Sequence, residues 1–186
     1  VHTPRAAAQC SRCGGRRPRR ARPRCDEMTV QEGLDEYFAA NPGLTRFDPD
    51  SDDPAAELFL PHDVCHVLFG CGTSIAEEAM ADTWTIFGSD VGLTRYVKMF
   101  RHVAEIDPKG VVQKLGIGRT TLHMFLAVVP STQAWWRARS MTKRWAWDRY
   151  RESLDRSLGE LRRAHGIRIF VPRASLRQAS AVGLEA

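Results

Sequence analysis

The sequence predicts an all-α fold, a single compact multi-helix domain. Three observations carry this. Two capping boxes, Thr29-Val-Gln-Glu32 and Ser74-Ile-Ala-Glu77, each open a segment with apolar residues at helical spacing. Glycine or proline punctuation closes those segments, as at Asn41-Pro42-Gly43 and Gly88. No two alternating apolar runs are joined by a tight turn, so no strand pair is expected, and no internal repeat is visible. With 186 residues, 43% of them hydrophobic, the chain is long enough to enclose a core.

In chain order, the first helix runs from the Thr29 cap to about Ala40, with Val30, Leu34, Tyr37 and Phe38 as its stripe. An acidic loop follows, Asp48-Pro-Asp50-Ser-Asp52-Asp53-Pro54. A calcium loop needs glycine at its sixth position and a carboxylate at its twelfth, and those places hold Asp53 and Phe59, so this is read as a solvated loop. A short helix is expected over about His62 to Phe69, a turn at Gly70–Thr73, and a helix from Ser74 to about Phe87. Val91 to Ile106 reads as amphipathic and is closed by Asp107-Pro-Lys-Gly110. A long apolar helix is expected over Thr120 to Val129, broken or kinked by Pro130. Asp148 to His165 reads as one charged amphipathic helix ending at Gly166, and residues 168–186 as a loose tail.

The domain is therefore placed at residues 28–167, behind a leader of residues 1–27 that is too poor in large apolar side chains to build a core. That leader holds eight arginines and, before Asp26, no acid. It fits an organelle transit peptide, a basic arm, or an over-extended start with Met28 as the true first residue. Met28 directly precedes the first helix cap, which favours the last. The net charge of +5 belongs to this leader: without its eight arginines, 19 basic residues face 22 acidic ones, a net of −3. The body lacks the basic surplus that phosphate binding requires, so no nucleic-acid partner is expected. No stretch approaches the roughly 20 apolar residues of a membrane-spanning helix, so any membrane contact is expected to be peripheral. Cys10, Cys13 and Cys25 lack the second Cys/His pair of a zinc site, and Cys65 and Cys71 read as reduced packing residues, which makes a cytoplasmic setting the default.

The chemistry concentrates in His62-Asp-Val-Cys-His66-Val-Leu-Phe-Gly-Cys-Gly-Thr-Ser-Ile-Ala-Glu-Glu78. At about 100° per residue, His62, His66 and Asp63 share one arc of roughly 100° on a helix whose other positions are apolar. A buried polar trio must find partners, since unpaired burial costs several kcal/mol. Two histidines four residues apart are a common way to hold a metal ion. The turn at Gly70–Thr73 folds the next helix back, where Glu78 can face the histidines. Glu77 is accounted for as the return half of the capping box. Asp63 is either a ligand or an orienting group, and Asp82 is a further orienting group or a plain polar position. One divalent ion (zinc, iron or manganese) on His62, Asp63, His66 and Glu78 is the expected cofactor; core histidines bonded to carboxylates without a metal are the bland alternative.

His62-Asp63-x-x-His66, eleven residues, then Glu78 resembles the H-D-x-x-H-x11-E signature of the coenzyme Q biosynthesis protein 4 family. Gly70 and Thr73 stand where that family often has Gly and Thr, and Leu161–Ile167 is similar to its C-terminal helix. Glu77 departs from the family, which usually has Gly there. The resemblance implies an all-helical protein of ubiquinone biosynthesis that binds a polyprenyl quinone precursor. It implies metal-dependent oxidative decarboxylation, a ring carboxyl replaced by hydroxyl, or a scaffold role among other quinone-biosynthesis proteins. It also implies peripheral contact with the inner face of a membrane, mitochondrial if the leader is a transit peptide, and leaves a homodimer open. Met99, Phe100, Met124, Phe125, Trp135 and Trp136 are candidates to line a prenyl tunnel; Arg95, Arg101, His102 and His123 are candidates for an anionic head group. Ordinary core and a solvated helix face are the plainer accounts. The rival chemistry is a metal-dependent hydrolase, since H-D-x-x-H neighbours H-E-x-x-H.

Overall fold

The computed structural model describes residues 27–103 and 117–169, with residues 117–126 by backbone alone. Residues 1–26 of the leader with its cysteines, the Asp107–Gly110 turn, the side chains of His123, Met124 and Phe125, and the tail from 170 onward lie outside the described residues.

Among the described residues the fold is all-α: α1 Val30–Ala40, α2 Pro54–Phe69, α3 Ile75–Gly88, α4 Leu93–Val103, α5 Ile117–Arg139 and α6 Leu158–His165, with a 3-10 turn at Tyr150–Ser153. Among the described residues extended pairing is limited to two isolated bridges, Thr29 with Ser157 and Ser89 with Trp145. Both capping boxes form as read, at Thr29/Glu32 and Ser74/Glu77. The free amides at the start of α1 are met by the far end of the chain: Val30 N donates to Arg156 O at 3.0 Å and Gln31 N to Leu154 O at 2.9 Å.

The central element is α2, and it is twice as long as the sequence reading gave it. It starts at Pro54, capped by the Asp53 carboxylate accepting from Ala55 N at 2.8 Å. Pro61 sits inside it, and every residue from Pro61 to Phe69 is buried. This second half of the helix is therefore enclosed rather than amphipathic. Its last turn ends at Gly70 in the left-handed conformation (φ 70°). Arg162 of α6 reaches across and donates from Nε to Leu68 O and from Nη2 to Val67 O, each at 2.9 Å.

Three other expectations need correction. Pro130 does not break α5, which runs through it to Arg139. The Asp148–His165 segment is not one helix: a 3-10 turn at Tyr150–Ser153 precedes α6, which begins only at the Ser157 cap. The α4 helix is described from Leu93 to Val103, and its expected end at Ile106 lies outside the described residues. Ile169, assigned to the tail, packs against the core.

The core sits between α2, α3 and the segment around Trp145–Trp147. Phe69 stacks on Trp84 at 4.5 Å between ring centroids. Trp145 is clamped to the end of α3, with its N donating to Gly88 O at 2.8 Å and its Nε1 to Ser153 Oγ at 3.1 Å. Cys65 and Cys71 are free and buried, as read; burial pushes the Cys65 thiol up to about 12. No described helix is long and apolar enough to cross a membrane.

Candidate metal centre

The α2–α3 hairpin brings the histidines of one helix against the carboxylates of the next. His66 is 1% exposed. Its Nδ1 lies 3.1 Å from Gly72 O, in the turn between the helices. A neutral imidazole donating there carries its lone pair on Nε2. Nε2 in turn lies 3.3 Å from Glu78 Oε2. Support of a metal-bound histidine by a backbone carbonyl at the other ring nitrogen is the usual arrangement.

The turn makes this possible for steric reasons. A Cβ on Gly72 would lie 2.7 Å from Glu77 Oε2, so a larger residue here would push that carboxylate out of its capping position. Glu77 itself accepts from Ser74 Oγ at 2.6 Å, which accounts for it as a cap residue. Thr73 Oγ1 donates to Asn41 Oδ1 at 2.9 Å and ties the turn to the end of α1.

His62, one turn earlier, has a different partner. Its Nε2 lies 3.3 Å from Asp82 Oδ1, and the two histidine rings meet edge-on at 4.8 Å. Each ring is also covered by a tyrosine, His66 by Tyr37 at 5.3 Å and His62 by Tyr96 at 6.1 Å. Neither tyrosine stands out in the sequence, because an aromatic residue at helical spacing is usually ordinary core.

One ligand atom each from His62, His66 and Glu78 lies within 4.8 Å of the others. Donors about 2.1 Å from one ion stand about 3.4 Å apart in a tetrahedral set. The His66–Glu78 distance matches that spacing. Glu78 is the least buried member, with 41% of its side chain accessible, so it can adjust and leaves the site open on one side.

Asp63, the fourth residue of the sequence reading, lies outside this group of three. It is buried, and burial pushes its carboxyl up to about 7, with His66 opposing and the Glu78 charge adding to the rise. No described residue hydrogen-bonds to it. Burial works to lower the basicity of His66, but the hydrogen bond and charge of Glu78 and the charge of Asp63 outweigh it, and its pKa is raised. Asp63, Glu78 and Asp82 thus surround two imidazoles. A divalent cation would offset that surplus of carboxylate, so the residues fit the group the sequence implied.

The remaining sequence candidates fall elsewhere. Arg95 is taken up by ion pairs with Asp148 at 2.7 Å and Glu57 at 3.6 Å. Phe100 packs against Tyr96, and Trp136 is exposed. The acidic loop is exposed and serves α2 through the Asp53 cap.

Fold and site together define an all-helical protein with a candidate metal centre of two histidines and one glutamate. Comparison of the chain with protein-family models, with curated proteins and with solved structures gives no match.

Proposed function

We propose that the chain holds one divalent metal ion on His62, His66 and Glu78 and acts in ubiquinone biosynthesis, on the ring of a polyprenylated hydroxybenzoate. The observation that carries the metal is the convergence of these three donors, with His66 already turned by Gly72 O. The quinone part rests on the H-D-x-x-H-x11-E resemblance. The net reaction replaces a ring carboxyl by hydroxyl: the carboxyl leaves as carbon dioxide, water supplies the hydroxyl oxygen, and dioxygen takes up the two electrons and two protons as hydrogen peroxide.

Two histidines and one carboxylate suit a metal that keeps open positions, including iron in oxygen chemistry and zinc in hydrolysis. When bound, such an ion supplies Lewis acidity and, for iron or manganese, redox capacity. The chain's own contributions are legible. Glu78 marks the open side, by which an anionic ring substituent would approach. Asp63, held near neutrality, can take or give a proton next to the site. Buried Tyr37 and Tyr96 exclude water from the flanks of the two imidazoles.

Apolar side chains left exposed on α4 and α5 (Leu93, Val97, Val128, Val129, Trp136) support contact with a prenyl chain, a peripheral membrane surface or another biosynthetic protein. The donor set equally suits a zinc hydrolase with Asp63 as base, the second reading.

The test is elemental analysis of the purified protein, followed by prenylated hydroxybenzoate under air. About one equivalent of metal with release of carbon dioxide is expected. Metal without decarboxylation, but with hydrolysis of model esters, would favour the hydrolase. No metal after reconstitution would remove both and leave a prenyl-quinone-binding scaffold.

A further inference from the structure

Tyr96 enters the site from a third helix. Its hydroxyl donates to Asp82 Oδ1 at 2.6 Å, and the same oxygen faces His62 Nε2 at 3.3 Å. Tyr96 is 4% exposed, and its ring is wedged between the His62 ring and Trp147, at 6.1 Å from each. Its main chain is anchored as well, Tyr96 N donating to Gly92 O at 3.1 Å across a left-handed glycine (φ 71°). The phenol can therefore neither swing away nor reach another acceptor without disturbing the packing around Trp147.

Asp82 is not one of the three converging donors, and its Oδ1 is already occupied by the phenol. An ion held by His62 through Nδ1 would leave Asp82 behind that ring, as Gly72 O is behind His66. A carboxylate accepting from Nε2 selects the imidazole tautomer whose lone pair is on Nδ1 and raises the basicity of that nitrogen.

We propose that Tyr96 and Asp82 are positioning residues acting in series, Tyr96 fixing the Asp82 carboxylate and Asp82 fixing and activating His62 as a metal ligand. The inference rests on the metal reading of the site. It places part of the metal affinity in α4, outside the hairpin that carries every ligand.

The series predicts a specific pattern. Full-length protein would be titrated with Co2+ alone, reading affinity and the visible absorption of the bound ion, with circular dichroism and melting as controls. Asp82→Asn should weaken Co2+ binding about 10- to 100-fold. Tyr96→Phe, which keeps the ring, should weaken it roughly 2- to 10-fold, the worth of one hydrogen bond. The double variant should bind no more weakly than Asp82→Asn, because removing Tyr96 has nothing left to act on. Asp82→Glu, which keeps an acceptor, should recover part of the loss. A merely structural role for Tyr96 would instead make the two losses multiply, and that overturns the proposal. So does wild-type affinity in Tyr96→Phe. A loss in Asp82→Asn as complete as in His62→Ala, with a changed absorption spectrum, would make Asp82 a ligand and also overturn it. Failure of the wild type to bind Co2+ or any other divalent ion would sink the metal reading itself, a different result from all of these.

Discussion

The two histidines differ in where their support comes from. His66 is turned by a carbonyl six residues away, within its own hairpin, and is 1% exposed. His62 is turned by a carboxylate twenty residues away, which is fixed in turn by a phenol fourteen residues further on. The first support is local and comes with the turn; the second exists only once α2, α3 and α4 have packed. The candidate metal site is therefore half specified by a short motif and half by tertiary structure, although both histidines belong to one motif.

The largest test of this comparison removes both rings. His62→Ala with His66→Ala should abolish stoichiometric metal, a loss of more than about 100-fold in affinity, in a protein that still shows a helical spectrum. Retained metal would place the ion elsewhere and end the comparison.

A second test uses pH. Asp63 is raised from an ordinary 3.8 to about 7, so the folded metal-free protein keeps a proton that the unfolded chain has lost. Its stability should be greatest at the acid end and fall as pH climbs from about 4 to about 7, by up to about 1.4 kcal/mol per unit. The raised His66 adds a loss of the same sign above its unfolded value of 6.5. His165, lowered by burial, contributes stability that is present above 6.5 and lost as pH falls. The difference between wild type and Asp63→Asn isolates the first effect: melting in chelator should show the slope in wild type and a flatter line in the variant. Equal slopes would mean that Asp63 is ionised throughout.

Two smaller changes probe the local half. Gly72→Ala puts a Cβ against the Glu77 carboxylate, which must swing off its bond to Ser74, and should cost about 1 kcal/mol through the weakened cap, read in denaturant unfolding. Glu77→Ala in the same chain should relieve the clash. A loss of metal affinity in Gly72→Ala beyond that in Glu77→Ala would show that the turn carbonyl behind His66 has moved as well. Thr73→Val removes the bond to Asn41 and should lower stability by about 1 kcal/mol in denaturant unfolding, leaving metal affinity nearly unchanged.

The legible part of the site follows the same division. His62, His66 and Glu78 could be grouped from spacing, because one helix turn and one glycine turn fix their relation. Glu77 could be set aside because the capping box explains it. Asp82 was legible as an orienting group or a plain polar position, and Tyr96 not at all, since nothing local links residue 96 to residue 62. In the fold, the two capping boxes marked α1 and α3, but α2 was read too short. Asp53-Pro54 held the signal, an N-cap followed by proline at the first helical position. Pro61 obscured it, and an enclosed helix shows no polar face to reveal its period. Pro130 misled in the same way, because a proline inside a helix interrupts one ladder bond and can be carried when neighbours hold the rest. The Asp148–His165 segment looked continuous because its charges alternate at helical spacing, while the Ser157 cap that splits it is a single residue.

The grip of Arg162 on the end of α2 has a consequence for the order in which the protein is made. The carbonyls of Val67 and Leu68 accept from a side chain more than ninety residues later. During synthesis the hairpin with all three donors leaves the ribosome early, yet its last turn stays unlatched until α6 emerges. The end of α2 is thus latched only after residue 162 has emerged, and a ribosome that stalls before it releases the candidate donors without the clasp on their helix.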